Sequence, residues 1–399
     1  MHHDRAHPGL LSPSPVVIVG GAAMGAATAF YLRKLEPARP VVVVERDPSY
    51  RQSSTLLSDG NVRIQFNLEE NIRMSQYAMD VLDSFSDEMA VGSWRPEVTP
   101  RRQGNLFLTD AANRSRAEAG LVAQRALECE VEWLDRPEII ERYQAYEGSG
   151  YVGGTFGPKD GSVDPSAVMH GYIRKAQDLG ATFVAGEAAR ILTEGDDVTG
   201  VSLTGGESIA STTVVDAAGA WCAQLAATAG VDLPVQPVMR SVYVVETAVG
   251  TEGLPSVFLP SGLYVLPESA RRFLIGWSLP DDPVGFDFTL RRQRFFDVVW
   301  PELATTFPAF EALHLVGGWT GLYEVNTLDG NAILGEWPGL RGLYLANGFS
   351  GHGFQQCHAV GRHLAELIVG RPPSLNLSRF GAQRVVNHEP IFENPDRII

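Results

Sequence analysis

Residues 15–47 read PVVIVGGAAMGAATAFYLRKLEPARPVVVVERD, and no other stretch restricts the fold of this chain as tightly. Val16–Val19 is a β-branched run suited to a buried strand, residues 22–35 have the composition of a helix, and residues 41–44 are a second buried strand. Two wholly apolar strands joined by a helix make a βαβ unit of a parallel sheet covered on both faces. Gly20, Ala22 and Gly25 fall at the three glycine positions of the G-x-G-x-x-G dinucleotide fingerprint, and Glu45 closes the second strand twenty residues after Gly25. The amides of Gly20, Gly21, Ala22, Ala23 and Met24 then face a pyrophosphate at the positive end of the helix, while Glu45, followed by Arg46, accepts hydrogen bonds from ribose hydroxyls. Ala22 departs from the fingerprint by placing a methyl where the backbone approaches phosphate. The unit alone leaves NAD and FAD both open.

A formal charge of −15 argues against a general nucleic-acid or anionic-membrane binder, since both need clustered cations. Forty-one glycines exceed ordinary usage and point to close backbone approaches to a cofactor. Cys129, Cys222 and Cys357 show no paired spacing, which fits buried thiols in a reducing, cytoplasmic setting, with no metal site. The longest uncharged run, residues 16–32, is too short and too glycine-interrupted for a transmembrane helix, and residues 1–14 read as a flexible tail.

Beyond Arg46 the chain reads RDPSYRQSSTLLSDGNVRIQF, a polar loop with Ser53, Ser54, Ser58, Gly60 and Arg63, then a helical run over 71–85. A loop this long so soon after the ribose acid suits a longer cofactor than NAD. The pattern next predicts a capped helix over 165–179, a strand after it, and a valine strand running into a second close-backbone site at Ala218, Gly219 and Trp221. Residues 235–318 are strand-rich, with aromatic and polar residues interleaved and a helix near 290–300. They suit a roof over a substrate. Near the C-terminus a strand ends at Asn347, GFSGHGFQQ follows, and a helix runs to about residue 369. The loop residues Gly348, Ser350, Gly351, His352, Gly353, Phe354 and Gln355 therefore stand at a helix N-terminus.

With VVIVGGAAMG and VVVVERD, SVDPSAVMHGYIRKAQDLGA, VVDAAGAW and GLYLANGFSGHGFQQCHAVGRHLAEL in this order, the sequence resembles the glycine oxidase, monomeric sarcosine oxidase and D-amino acid oxidase family of FAD flavoproteins. The resemblance implies an α/β (α+β) fold: a discontinuous Rossmann-type FAD-binding domain (15–90, 151–230, 320–385) and an inserted antiparallel-sheet substrate domain (91–150, 231–319). It implies FAD held by the residues named above together with Ala188. It also implies that the loop around His352 wraps the flavin's pyrimidine edge, where helix amides and His352 would stabilise charge developing at N1 and C2=O.

Several positions depart from the family. The cysteine that binds FAD covalently in sarcosine oxidases is here Gly321, and SSTLLSDGN lacks the histidine of other covalent relatives, which implies noncovalent FAD. Family carboxylate clamps are replaced by Tyr323 and Gln355. Arg63 and Tyr264, or Arg271 and Arg272 from the roof, are then the candidates to hold a substrate. Leu274 stands near the family's oxygen-activating lysine, which points to a dehydrogenase serving a quinone or an acceptor protein. Three readings follow. The first is oxidation of a small, secondary or N-substituted amino acid or amine, the catalytic set being His352, Arg63, Tyr323, Gln355 and Tyr264. The second is oxidation of a 2-hydroxy acid or polyol phosphate, with His352 as base. The third is a flavoprotein scaffold, because SSTLLSDGNVRIQF and SGHGFQQ resemble a branch tied to respiratory-complex assembly.

Overall fold

The computed structural model describes residues 14–393, so all but the last residue of the expected tail lies outside the described residues. One sheet has six strands in the order Ile333–Glu336, Leu343–Asn347, Thr213–Asp216, Val16–Val19, Val41–Glu45 and Thr182–Ala185. Its neighbours are parallel except Ile333–Glu336, which joins the edge antiparallel. Along the first strand Val16 and Ile18 enter one apolar cluster while Val17 and Val19 enter another, so both faces are buried. This is why the strand is a continuous apolar run rather than an alternating one. Helices Ala23–Leu35, Pro165–Asp178 and Gly353–Ile368 cover one face. A three-stranded sheet, Ala188–Glu194, Asp197–Leu203 and Ser208–Ala210, covers the other together with the short helix Cys222–Ala227.

The helix starts obey local chemistry. The Asp164 side chain accepts from the Ser166 and Ala167 amides at 2.8 and 3.3 Å, and Pro165, which has no amide hydrogen to lose, occupies the first turn. The helix expected near 290–300 is longer and irregular: a π-type turn, Phe295–Val299, runs into helix Trp300–Thr306. Pro301 cannot donate to the helical ladder, and the wider turn lies just before it.

The second sheet has eight strands in the order Leu313–Asn326, Val235–Thr247, Arg272–Gly276, Tyr264–Ser269, Ser256–Phe258, Asn105–Thr109, Gly153–Gly157 and Glu132–Asp135. All its pairings are antiparallel except that between Ser256–Phe258 and Asn105–Thr109. Two stretches separated by the parallel sheet's strands thus share one roof. Arg271 and Arg272 lie exposed at a hairpin tip, where Arg272 pairs with Glu246.

Candidate active site in the cleft between the sheets

A cavity of about 500 Å³ opens between the carboxyl ends of the parallel strands and the roof. At its cofactor end three small residues do different work. Gly20 has φ +99°, and a Cβ there would lie 2.2 Å from the Ala217 carbonyl oxygen. A Cβ on Gly25 would lie 1.8 Å from the Gly20 carbonyl oxygen, so this glycine serves helix-on-strand packing and does not line the cavity. Ala22 caps the helix with φ −70°, which any residue adopts, so its methyl is tolerated in the cavity wall beside Met24. Gly21 does not line the cavity either: its amide donates to Glu45 Oε2 at 2.8 Å, and the Asp47 amide donates to Oε1 at 2.8 Å. The acid expected at the ribose is thereby held in place, with its pKa raised by burial. The Ala23 amide donates to Thr55 Oγ1 at 3.3 Å.

The same wall brings in Ala188, Ala218, Gly219 and Trp221. The Arg46 guanidinium lies 4.0 Å from the Trp221 ring centroid and donates to Gln52 at 3.1 Å, which packs the side of this end of the cleft. Ser53, Ser54 and Ser58 line the cavity and also shape their loop. The Ser53 and Ser58 hydroxyls accept from the Leu56 and Gly60 amides at 3.2 and 3.1 Å, and Ser54 Oγ donates to the Leu322 carbonyl at 2.8 Å. Gly60 lies outside the lining, pressed on the Val163 carbonyl with φ +75°.

At the other end Arg63 is buried and stacked, its guanidinium 4.4 Å from the Phe66 ring and 5.2 Å from the Phe107 ring. Its backbone is clamped by Gln355, which accepts from the Arg63 amide at 2.8 Å and donates to its carbonyl at 2.7 Å and to Ser75 Oγ. The Gln355 amide is thus occupied in positioning Arg63, although sequence reasoning placed it against the substrate. Next door, Asp160 accepts from the Ile64 amide at 2.8 Å and from Gln65 at 2.9 Å, and complete burial pushes its pKa up to about 7.

Arg63 Nη2 donates to His352 Nε2 at 3.0 Å. Desolvation, reinforced by Arg63, lowers the His352 pKa to about 3, and the His352 backbone amide donates to the Phe349 carbonyl at 3.0 Å. In this arrangement the positive charge of the corner sits on Arg63, and His352, which lines the cavity, is held neutral with Nε2 engaged by the guanidinium. Gly351, with φ +102°, lets the loop lie on Tyr323, since a Cβ would sit 2.4 Å from that ring. Gly353 and Phe354 line the cavity at the N-terminus of helix Gly353–Ile368, whose dipole points into it. Gly348 and Ser350 stand behind the lining: Gly348 N donates to Glu324 Oε2 at 3.2 Å, and the Asn326 amide donates to Ser350 Oγ at 3.0 Å. Tyr264 and Tyr323, both on strands of the eight-stranded sheet, line the cavity.

The lining residues that the sequence reading missed include Thr55, Asp59, Arg240 and Glu324. Arg240 is opposite Gly321 in strand register, pairs with Asp282 at 2.6 Å and lies 5.3 Å from the Tyr323 ring. Glu324 follows Tyr323, and desolvation raises its pKa to about 8. A lone charge in an otherwise apolar strand, as in VQPVMRSVYVV, was the available signal for Arg240. Among the described residues no cluster of three potential ligands could hold a metal ion.

Residues 15–367 match the family described as FAD dependent oxidoreductase (DAO). The FAD-dependent oxidoreductase domain-containing protein 1 of Xenopus laevis is 34% identical over 419 residues, covering 95% of this chain and 84% of its own. The chain belongs to the DAO family of FAD oxidoreductases. Glycine oxidase of Geobacillus kaustophilus is 29% identical over 255 residues, 64% of this chain and 66% of its own. The fold is shared with L-proline dehydrogenase of P. horikoshii, with a TM-score of 0.84 at 24% identity over 96% of this chain and all of that one. The cofactor of this DAO-family chain is FAD, and the cleft fits it: a glycine cradle that a side chain would fill, an acid at the ribose position and two helix N-termini face one cavity. No helix among the described residues is long and apolar enough to cross a membrane.

Proposed function

We propose that the protein oxidises the C–N bond of a small amino acid or amine, secondary or N-substituted, to an imine. Noncovalently bound FAD supplies the acceptor, flavin N5, for the departing hydride. The observation that carries this reading is the convergence of a buried, backbone-clamped Arg63 with the roof phenols of Tyr264 and Tyr323 on one cavity wall. A desolvated guanidinium beside phenol donors suits a carboxylate, which leaves water only for charge-assisted hydrogen bonds. The chain orients the substrate and excludes water; Gln355 clamps the Arg63 backbone, and Asp160 holds the next two residues, so that little reorganisation accompanies binding. The relatives named for amine oxidation support this donor class. The weakness of His352 as a base speaks against the hydroxy-acid reading built on it.

Electron transfer to a quinone or carrier protein in preference to oxygen is the finer part of the proposal. Leu274 packs with Phe107, Phe258, Tyr264 and Leu266 beside the cavity, so the roof offers an apolar side chain at the position read as the oxygen-activating site. Anaerobic mixing of the FAD-loaded protein with pools of N-methyl, cyclic and D-amino acids tests both parts. The visible flavin band should bleach and return slowly in air. Rapid return with peroxide would overturn the dehydrogenase assignment, and a yellow protein that no pool bleaches would overturn the amine reading.

A further inference from the structure

Asp59 is a carboxylate in the wall of the substrate end of the cavity with no part in the chemistry derived so far. Its placement is firm. The Asn61 amide donates to Asp59 Oδ1 at 3.0 Å, the Ser54 hydroxyl ties the loop to Leu322, and Trp319 Nε1 donates to the Leu57 carbonyl at 2.8 Å. From the roof, Tyr264 lines the same cavity, and its phenol favours the Asp59 anion. Desolvation raises the Asp59 pKa, while the Asn61 amide and the Tyr264 phenol pull it back.

The charged and titratable groups around it come from each neighbouring element: Tyr264 and Tyr323 from the roof, Arg240 with its partner Asp282, and Arg63 with His352. Asp59, Arg63, Arg240 and Tyr323 line one cavity, so they surround one space. That space carries a fixed anion as well as cations. It is complementary to a zwitterion, and an amine must lose its charge before the nitrogen lone pair can follow a departing hydride.

We propose that Asp59 receives the amine pole of the substrate: its carboxylate pairs with the protonated nitrogen and takes one proton from it, so the site selects donors that arrive as ammonium ions. This rests on the amine-oxidation reading and deepens it. In the transfer a nitrogen–hydrogen bond breaks, a carboxyl oxygen–hydrogen bond forms, the electron pair stays on nitrogen, and no oxidant is consumed. After the product leaves, the proton is lost to water. Raised basicity suits a carboxylate to this task better than an exposed aspartate.

The test uses the FAD-loaded protein and its Asp59→Asn and Tyr264→Phe variants, with sarcosine and proline as reductants and acetate as a nitrogen-free probe. In the unsubstituted protein the anaerobic reduction rate should reach its plateau well below the pKa of the free amine. In Asp59→Asn the limb should move up toward that pKa, about 10, with a loss of about 100-fold at pH 7. Tyr264→Phe removes the phenol that favours the Asp59 anion, so its limb should move to higher pH. Acetate, read by its shift of the flavin band, should bind Asp59→Asn more tightly by about 10-fold, because a facing anion is gone. An unmoved pH limb or unchanged acetate affinity in Asp59→Asn overturns the proposal. Failure of every amine to reduce the unsubstituted protein overturns the amine reading instead, and the acetate comparison still reads the charge of Asp59.

Discussion

The cleft has two walls of different construction. On the parallel-sheet side, Gly20, Ala22, Gly219 and the two helix N-termini present backbone, and side chains such as Glu45 and the serines act largely by holding that backbone. On the roof side and at the Arg63 corner, side chains present the chemistry, brought from segments up to 292 residues apart in the case of Arg63 and Gln355. A backbone wall depends on sterics and tolerates many side-chain changes. A side-chain wall depends on individual polar partners, because each removal leaves a desolvated group unpaired.

Substitutions can break this contrast. The largest effect is expected for Gly25→Val, which drives carbon into the Gly20 carbonyl; a loss of about 3 kcal/mol and a colourless protein should follow, read by thermal unfolding and flavin absorbance. Retained colour with an unchanged midpoint would deny the steric character of the cofactor wall. Gln355→Ala should strand the Arg63 amide, the Arg63 carbonyl and Ser75 Oγ, costing about 2 kcal/mol and slowing flavin reduction while FAD stays bound. Arg63→Lys keeps the charge but loses the planar stack on Phe66 and Phe107, and should weaken carboxylate binding about 10-fold in spectral titrations.

A smaller effect is expected from pH. Asp160 and Asp216 are fully buried with pKa values raised to about 7, so the folded state holds protons that the unfolded chain has released. Stability from these two groups is complete below the ordinary carboxylate range and is lost as pH rises through about 7. The exposed Asp47, Asp281 and Asp287, whose pKa values are lowered, act in the opposite sense only at more acidic pH. Burial lowers the His352 and His358 pKa values to about 3, so these two act in the opposite sense over the same range, and the test is a difference: relative to the unsubstituted protein, Asp160→Asn should lose less stability as pH rises from about 4 to 7. The smallest effect is for Arg46→Ala, where loss of a half-exposed cation–π contact should weaken FAD binding a few-fold, by about 0.5–1 kcal/mol.

Much of the cofactor wall was legible because its signals are local. A glycine needed for positive φ, a βαβ apolar pattern and an acid at a strand end all lie within about thirty residues, and backbone chemistry requires only that those residues be small or correctly spaced. Gly21, Gly25 and Gly348 were legible as important but not as packing or bracing positions, because spacing does not say which side of a glycine faces the cleft. The bracing role of Gln355 was hidden for a related reason: it lines the cavity with its sequence neighbours, while its side-chain amide turns back to Arg63.

By itself the sequence determined the parallel sheet, the glycine-built cradle and the helix that carries the His352 loop, because alternation of burial and glycine geometry are properties of short segments. Only the tertiary structure decided that Arg63 carries the charge beside His352, that Asp59 meets Tyr264 and that Arg240 faces Tyr323. Those pairings join residues from distant segments of the chain, and the burial that sets their pKa values exists only once the roof has closed over the cleft.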